Sequence, residues 1–156
     1  MSLLTPEQTA RFYRDAPSGP ATVEQPPPTE GSGREVWAGI LERHPDLPAG
    51  LLADMRARDA LGRERYGTPL REWNGRDAIA DAYQESLDLV AYLEQARLRM
   101  WSEARAGEGF AGKPSRVVIE AIMSLEHAVS GAIRAADQLR QLHASGLVPV
   151  EPRRAP

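Results

Sequence analysis

An all-α fold is what this sequence predicts: a four-helix-bundle-like domain behind a flexible, proline- and glycine-rich N-terminal arm, with no sheet. Three observations predict it. Four stretches between residues 34 and 146 carry apolar residues at helical spacing, and cap residues or breakers mark their ends. No stretch of strand length competes; the nearest, Val148-Pro149-Val150, is short and broken by proline. The third helical stretch is apolar over about half its circumference, so it requires neighbours on several sides.

The elements follow in order. Residues 5–14 carry a short helix signal: Thr5 as cap, Pro6 at the first helical position and Gln8 completing a capping box. Phe12 and Tyr13 give it some apolar surface, with docking on a neighbouring subunit as one use. Residues 15–33 hold five prolines and almost no large apolar residue, which reads as a linker. The arm therefore covers 1–33 and is expected to be removable with little loss of stability. The domain, 34–146, begins with Val36, Trp37, Ile40 and Leu41 at helical spacing, closed at His44-Pro45. His44 is a boundary residue there. A second helix starts at Asp46-Leu47-Pro48 and runs to Tyr66, where Gly67 stops it. Residues 68–75 form a loop. The third helix spans about 75–105, with Asn74 as its expected cap and Ile79, Ala82, Tyr83, Leu87, Leu89, Val90 and Leu93 on its apolar side. Ser115 caps a fourth helix that ends at Gly146, and its alanines allow a close helix approach. Residues 147–156 are a proline-containing tail.

Composition excludes several classes of function. A net charge of −3 supplies no general attraction to nucleic acid, and none is expected as a partner. No cysteine means no disulfide and no zinc–thiolate site, which suits a reducing cytoplasm, the expected location. No apolar run approaches the roughly 18 residues of a membrane span, and no signal peptide is evident. Glycine-rich phosphate loops and HExxH are absent, and there are three histidines, His44, His127 and His143. His127 reads first as a surface residue and second as a substrate contact.

The chemistry concentrates on the third helix. Asp77, Asp81, Glu85 and Asp88 are spaced four, four and three apart, within an arc of about 80°. No Lys or Arg shares that arc. Like charges at such spacing cost roughly 0.2–0.5 kcal/mol per contact, so the stripe costs on the order of 1 kcal/mol. Carboxylates on one rigid face can hold a hard cation such as Mg²⁺. The alternative is a solvated acidic face: Asp77 and Asp81 can favour the helix N-terminus electrostatically, although Glu85 and Asp88 lie too far along for that.

The stripe ends in Glu85-Ser-Leu-Asp88, an ExxD element, preceded by Arg63-ERYGTPL-Leu70 and Asn74-Gly-Arg-Asp77. Over about 53–95 these features resemble the MazG-like branch of the all-α nucleoside triphosphate pyrophosphohydrolases. The resemblance implies a four-helix core, dimers or tetramers, and Mg²⁺-dependent hydrolysis of (d)NTPs to monophosphate and pyrophosphate, with Mn²⁺ as a substitute ion. Glu85 and Asp88 match the family's ExxD ligands. The family's upstream ExxE has no match, because the second helix offers Asp54, Asp59 and Glu64 instead. Asp77 and Asp81 are then the residues able to replace it, giving a metal set of Asp77, Asp81, Glu85 and Asp88. Glu85 or Asp81 would act as general base on the attacking water. Arg63, Arg65 and Arg76 would clamp phosphates, Tyr66 and Trp73 would stack on a base, and Asn74 would hydrogen-bond base or sugar. Two other functions stay open beside hydrolysis: a nucleotide-binding protein without turnover, motivated by the missing ExxE, and a helical oligomerisation module.

Overall fold

The computed structural model describes Thr5, Glu7 and residues 20–106 and 115–146. Most of the expected helix at 5–14, with Phe12 and Tyr13, and the tail at 147–156 lie outside the described residues. The chain divides into two compact units.

The first unit is Glu24–Ala78. It contains β1 (Ser32–Glu35), α1 (Val36–Arg43), α2 (Ala49–Tyr66) and β2 (Arg71–Trp73). The two strands pair antiparallel, with Ser32 opposite Trp73 and Glu35 opposite Arg71 and an irregularity between. Backbone bonds extend the pairing at both ends, from Thr29 N–H to Asn74 O at 2.9 Å and from Val36 N–H to Leu70 O at 2.9 Å. The expectation of no sheet is therefore corrected. Strand signals are runs of β-branched or aromatic residues, and Ser-Gly-Arg-Glu has none. Here close backbone approach takes their place. Gly31 has φ +76°, and a Cβ added to it would lie 2.5 Å from the Trp73 carbonyl oxygen. Only glycine fits that contact and that backbone angle.

The helix ends follow the sequence signals closely. The His44 N–H closes α1 on Ile40 O at 3.0 Å. Pro48 stands at the cap position of α2, just before the first turn where it was expected. Gly67 ends α2 in the left-handed conformation, φ +70°, with its N–H on Arg63 O. Glu35 precedes α1 but caps nothing with its side chain. Its carboxylate instead accepts from Arg63 at 2.7 Å and lies 3.6 Å from Arg71. Arg63 also holds Asp59 at 3.0 Å. One guanidinium thus ties the start of α1 to the last turn of α2.

The hydrogen bond from Arg63, opposed by desolvation and aided by the charges of Arg63 and Arg71, holds the Glu35 carboxyl below its ordinary pKa. A carboxylate whose folded pKa is depressed adds stability above its unfolded pKa and loses it as pH falls through the folded value. Thermal stability should therefore fall on acidification below about pH 4.3, the unperturbed Glu value. Glu35→Gln should flatten that acid limb in a melting series. An identical limb in the variant would remove Glu35 from the account.

The second unit is formed by the described parts of Met1–Val23 and Ile79–Val148. It contains a 3-10 turn at Pro20–Thr22 and two long helices, α3 (Ala78–Ala106) and α4 (Arg116–Ala144). Each helix has 29 residues, a length of about 43 Å. Ser115 caps α4 as its sequence suggests, accepting from Val118 N–H at 3.3 Å. Arg97, nine residues before the end of α3, lies 3.6 Å from Glu126, ten after the start of α4. That is the register of an antiparallel hairpin. Buried positions are Ala80 and Ala104 on α3 and Ile122, Ala132 and Ala136 on α4. α3 starts at Ala78, three residues later than expected, because Asn74 does not cap it. The Asn74 Oδ1 accepts from the Arg76 N–H two residues on, at 3.2 Å, which makes a local turn before the helix.

Candidate functional site

Helical geometry puts Asp81, Glu85 and Asp88 on one stripe of α3. Asp81 is half-buried; Glu85 and Asp88 are exposed. The side chains of Glu85 and Asp88 make no hydrogen bond or ion pair with another described residue. Asp77 stands just before α3, in the other unit, with its N–H on Gln25 Oε1 at 3.1 Å. Among the described residues, no group of three or more His, Asp or Glu side chains gathers tightly enough to enclose a metal ion. The donor set on α3 is thus an i, i+3 pair, Glu85 and Asp88, with Asp81 one turn before Glu85.

The acids of α2 offer no second pair. Asp59 is held by Arg63, and Asp54 and Glu64 are exposed.

The residues expected to meet the substrate lie in the unit of β1 and β2. Arg63 is committed to Glu35 and Asp59. These contacts raise its pKa, first through the bond to Glu35 and then through that to Asp59. A guanidinium held by two carboxylates is a structural tie, which counts against a phosphate clamp. Arg76 donates to Pro26 O at 2.7 Å. Arg65 is exposed and lies over the Tyr66 ring, 5.4 Å from its centroid. Tyr66 is 53% exposed, so it is no core aromatic. Trp73 is half-buried on β2, and Asn74 uses its carbonyl and side-chain oxygens on Thr29 and Arg76.

No family model matches the chain, and no curated protein or solved structure is similar to it.

Two residues beside the carboxylates escaped the sequence reading. Tyr92 lies four residues after Asp88, on the same stripe, and is 67% exposed. The i, i+4 spacing was available in the sequence, but tyrosine in an apolar-rich helix reads as core. Gln84 lies between Asp81 and Asp88 and holds the 20–23 segment through two hydrogen bonds. No spacing rule announces such a long-range contact. Further along α3, a shallow hollow beside Glu94, Leu98, Arg99 and Ser102 contains none of the three carboxylates. Arg97 bonds Glu94 at 2.6 Å and holds the Glu94 carboxyl below its ordinary pKa. His127 is exposed on α4, in keeping with a surface residue. Among the described residues, no helix is long and apolar enough to cross a membrane.

Proposed function

We propose that this protein is a Mg²⁺-dependent hydrolase that converts (deoxy)nucleoside triphosphates to monophosphate and pyrophosphate, as the resemblance to MazG-like enzymes implies. The observation that carries the reading is the exposed Glu85–Asp88 pair, free of any described partner, continued by Asp81 on one face of a long helix. Mg²⁺ keeps several waters and is held by one or two carboxylates plus substrate phosphates, so an i, i+3 pair is a sufficient protein share. When bound, the ion would neutralise phosphate oxygens and lower the pKa of the attacking water. Glu85 and Asp88 hold it in this reading. Asp81, or the second oxygen of Glu85, takes the proton from water. Tyr92, on the same helix, offers an exposed ring for a base.

The missing second acidic pair on α2 favours one alternative, nucleotide binding without turnover. Pyrophosphate release from a panel of dNTPs and NTPs, with and without Mg²⁺, separates the two. Metal-dependent release is expected. Thermal stabilisation by nucleotide without release would select the binding protein. Silence in both would leave a helical module and remove the enzyme. A homo-oligomer is part of the proposal, because Val117, Met123, Ile133 and Leu142 on α4 are each 44% exposed or more. Light scattering should give a dimer or tetramer mass, and a monomer would contradict this.

A further inference from the structure

The described residues leave one face of the α3–α4 hairpin open. Ile122, Ala132 and Ala136 are buried and mark the side of α4 turned to α3. A second stripe runs beside them in steps of three and four, from Val117 to Leu142 through the small residues Ser124, Ala128, Gly131 and Ala135. Its counterpart on α3 runs in the same steps from Ala82 through Leu89, Leu93 and Ala96 to Met100. Helix handedness puts both stripes on the same side of the hairpin. No Asp, Glu, Lys or Arg falls on either. Val117 is 73% exposed, Leu89 48% and Leu142 44%.

The α4 stripe reads alike from both ends: large apolar residues stand at its ends and small ones in its middle. An antiparallel second copy would set Val117 against Leu142 of that copy, Ser124 against its Ala135 and Ala128 against its Gly131. The α3 stripe behaves likewise about its own middle, with Leu89 against Met100 of the second copy and Leu93 against its Ala96. The Arg97–Glu126 contact brings the two middles to one level of the hairpin, within about one residue, so a single two-fold axis serves both helices. Gly131 is not explained by the hairpin itself. Glycine inside a helix costs about 1 kcal/mol relative to alanine. A Cβ there would meet only Arg134 Nη2, at 4.0 Å, so nothing among the described residues requires its absence. A second helix crossing at Ala128 and Gly131 would use that absence, because small residues let two axes approach closely. With 29 residues in each helix, a face two helices wide covers on the order of 800 Å², the share each partner of a stable dimer contributes.

We propose that two copies of this chain pair through this face as a two-fold, antiparallel four-helix bundle, with α4 crossing α4 of the second copy at Ala128 and Gly131. This rests on the homo-oligomer of the reading above and gives it a face, a symmetry and a register. It does not depend on hydrolysis.

The full chain has no cysteine, so introduced thiols report on one contact alone. Within one chain residues 117 and 142 stand about 37 Å apart along α4, too far to bridge. The variant carrying both Val117→Cys and Leu142→Cys should form a covalent dimer on oxidation with diamide, and either substitution alone should not. Covalent dimers from a single-cysteine variant would mean a parallel pairing and overturn the register. Gly131→Leu should halve the mass by light scattering with helix content by circular dichroism unchanged, because one chain alone has room for the side chain. An unchanged mass would overturn the crossing at Gly131, and the cysteine pair decides by itself should that variant not fold. A wild type that is oligomeric, yet gives no covalent dimer from the paired variant, would overturn this face and leave the homo-oligomer standing. A monomeric wild type would overturn both, while pyrophosphate release judges hydrolysis separately.

Discussion

Asp88→Asn is expected to lower Mg²⁺-dependent pyrophosphate release by about 100-fold or more, which corresponds to roughly 2.7 kcal/mol of transition-state stabilisation. The substitution keeps the shape of the side chain and removes its charge, so the change falls on ion binding. Its effect on stability should run the other way. Removing one carboxylate relieves repulsion from Glu85, worth roughly 0.2–0.5 kcal/mol, so the apo thermal midpoint should hold or rise slightly. Mg²⁺ should raise the midpoint of the wild type and leave that of the variant in place. A variant that retains activity would remove Asp88 from the metal-binding pair. A variant that is inactive and also unfolded would show that the residue serves the helix.

Deletion of residues 1–33 should lower the thermal midpoint by on the order of 10 °C. The proline-rich composition of 15–33 suggests the opposite, a leader whose loss costs nothing. The structure ties residues 20–33 down at many points. Deletion removes the bonds from Gln84 to Pro20 and Val23, from Asp77 to Gln25, from Arg76 to Pro26, from Thr29 to Asn74 and from Thr68 to Glu30. It also removes half of β1. Each bond contributes on average about 1 kcal/mol or less net, so a total near 3 kcal/mol is expected. At roughly 2–4 °C per kcal/mol for a chain of this size, the melting curve should move by on the order of 10 °C. A midpoint within about 2 °C of the full chain would mean these contacts are exchanged for water without loss.

The contrast shows which features a sequence displays. Helix ends are local: Gly67, Ser115 and the His44-Pro45 step sit beside the backbone groups they serve, and all three mark real ends. The acidic stripe is also legible, because helical periodicity alone places Asp81, Glu85 and Asp88 together. The strand pair was hidden because its determinant is an absence, the missing side chain of Gly31 against a carbonyl forty-two residues away. The ties of Arg63 were hidden for a related reason. Its place in sequence beside the acidic helix suggested a phosphate clamp, while its partner Glu35 lies twenty-eight residues upstream, at a distance that periodicity does not describe. Contacts set by tertiary approach leave no local spacing to read.

The buried positions of the long hairpin carry a consequence for how this chain can change. Among the described residues four of the five are alanine, and Ile122 is the largest fully buried side chain. At alanine there is a single methyl to lose, whereas any larger side chain must push its neighbours away, typically at 1–3 kcal/mol. Substitutions at Ala80, Ala104, Ala132 and Ala136 are therefore one-sided: glycine is close to the worst that shrinking can do, and growth has no room. Larger side chains are therefore expected to be tolerated only on the outer faces of this unit, where Glu85 and Asp88 stand.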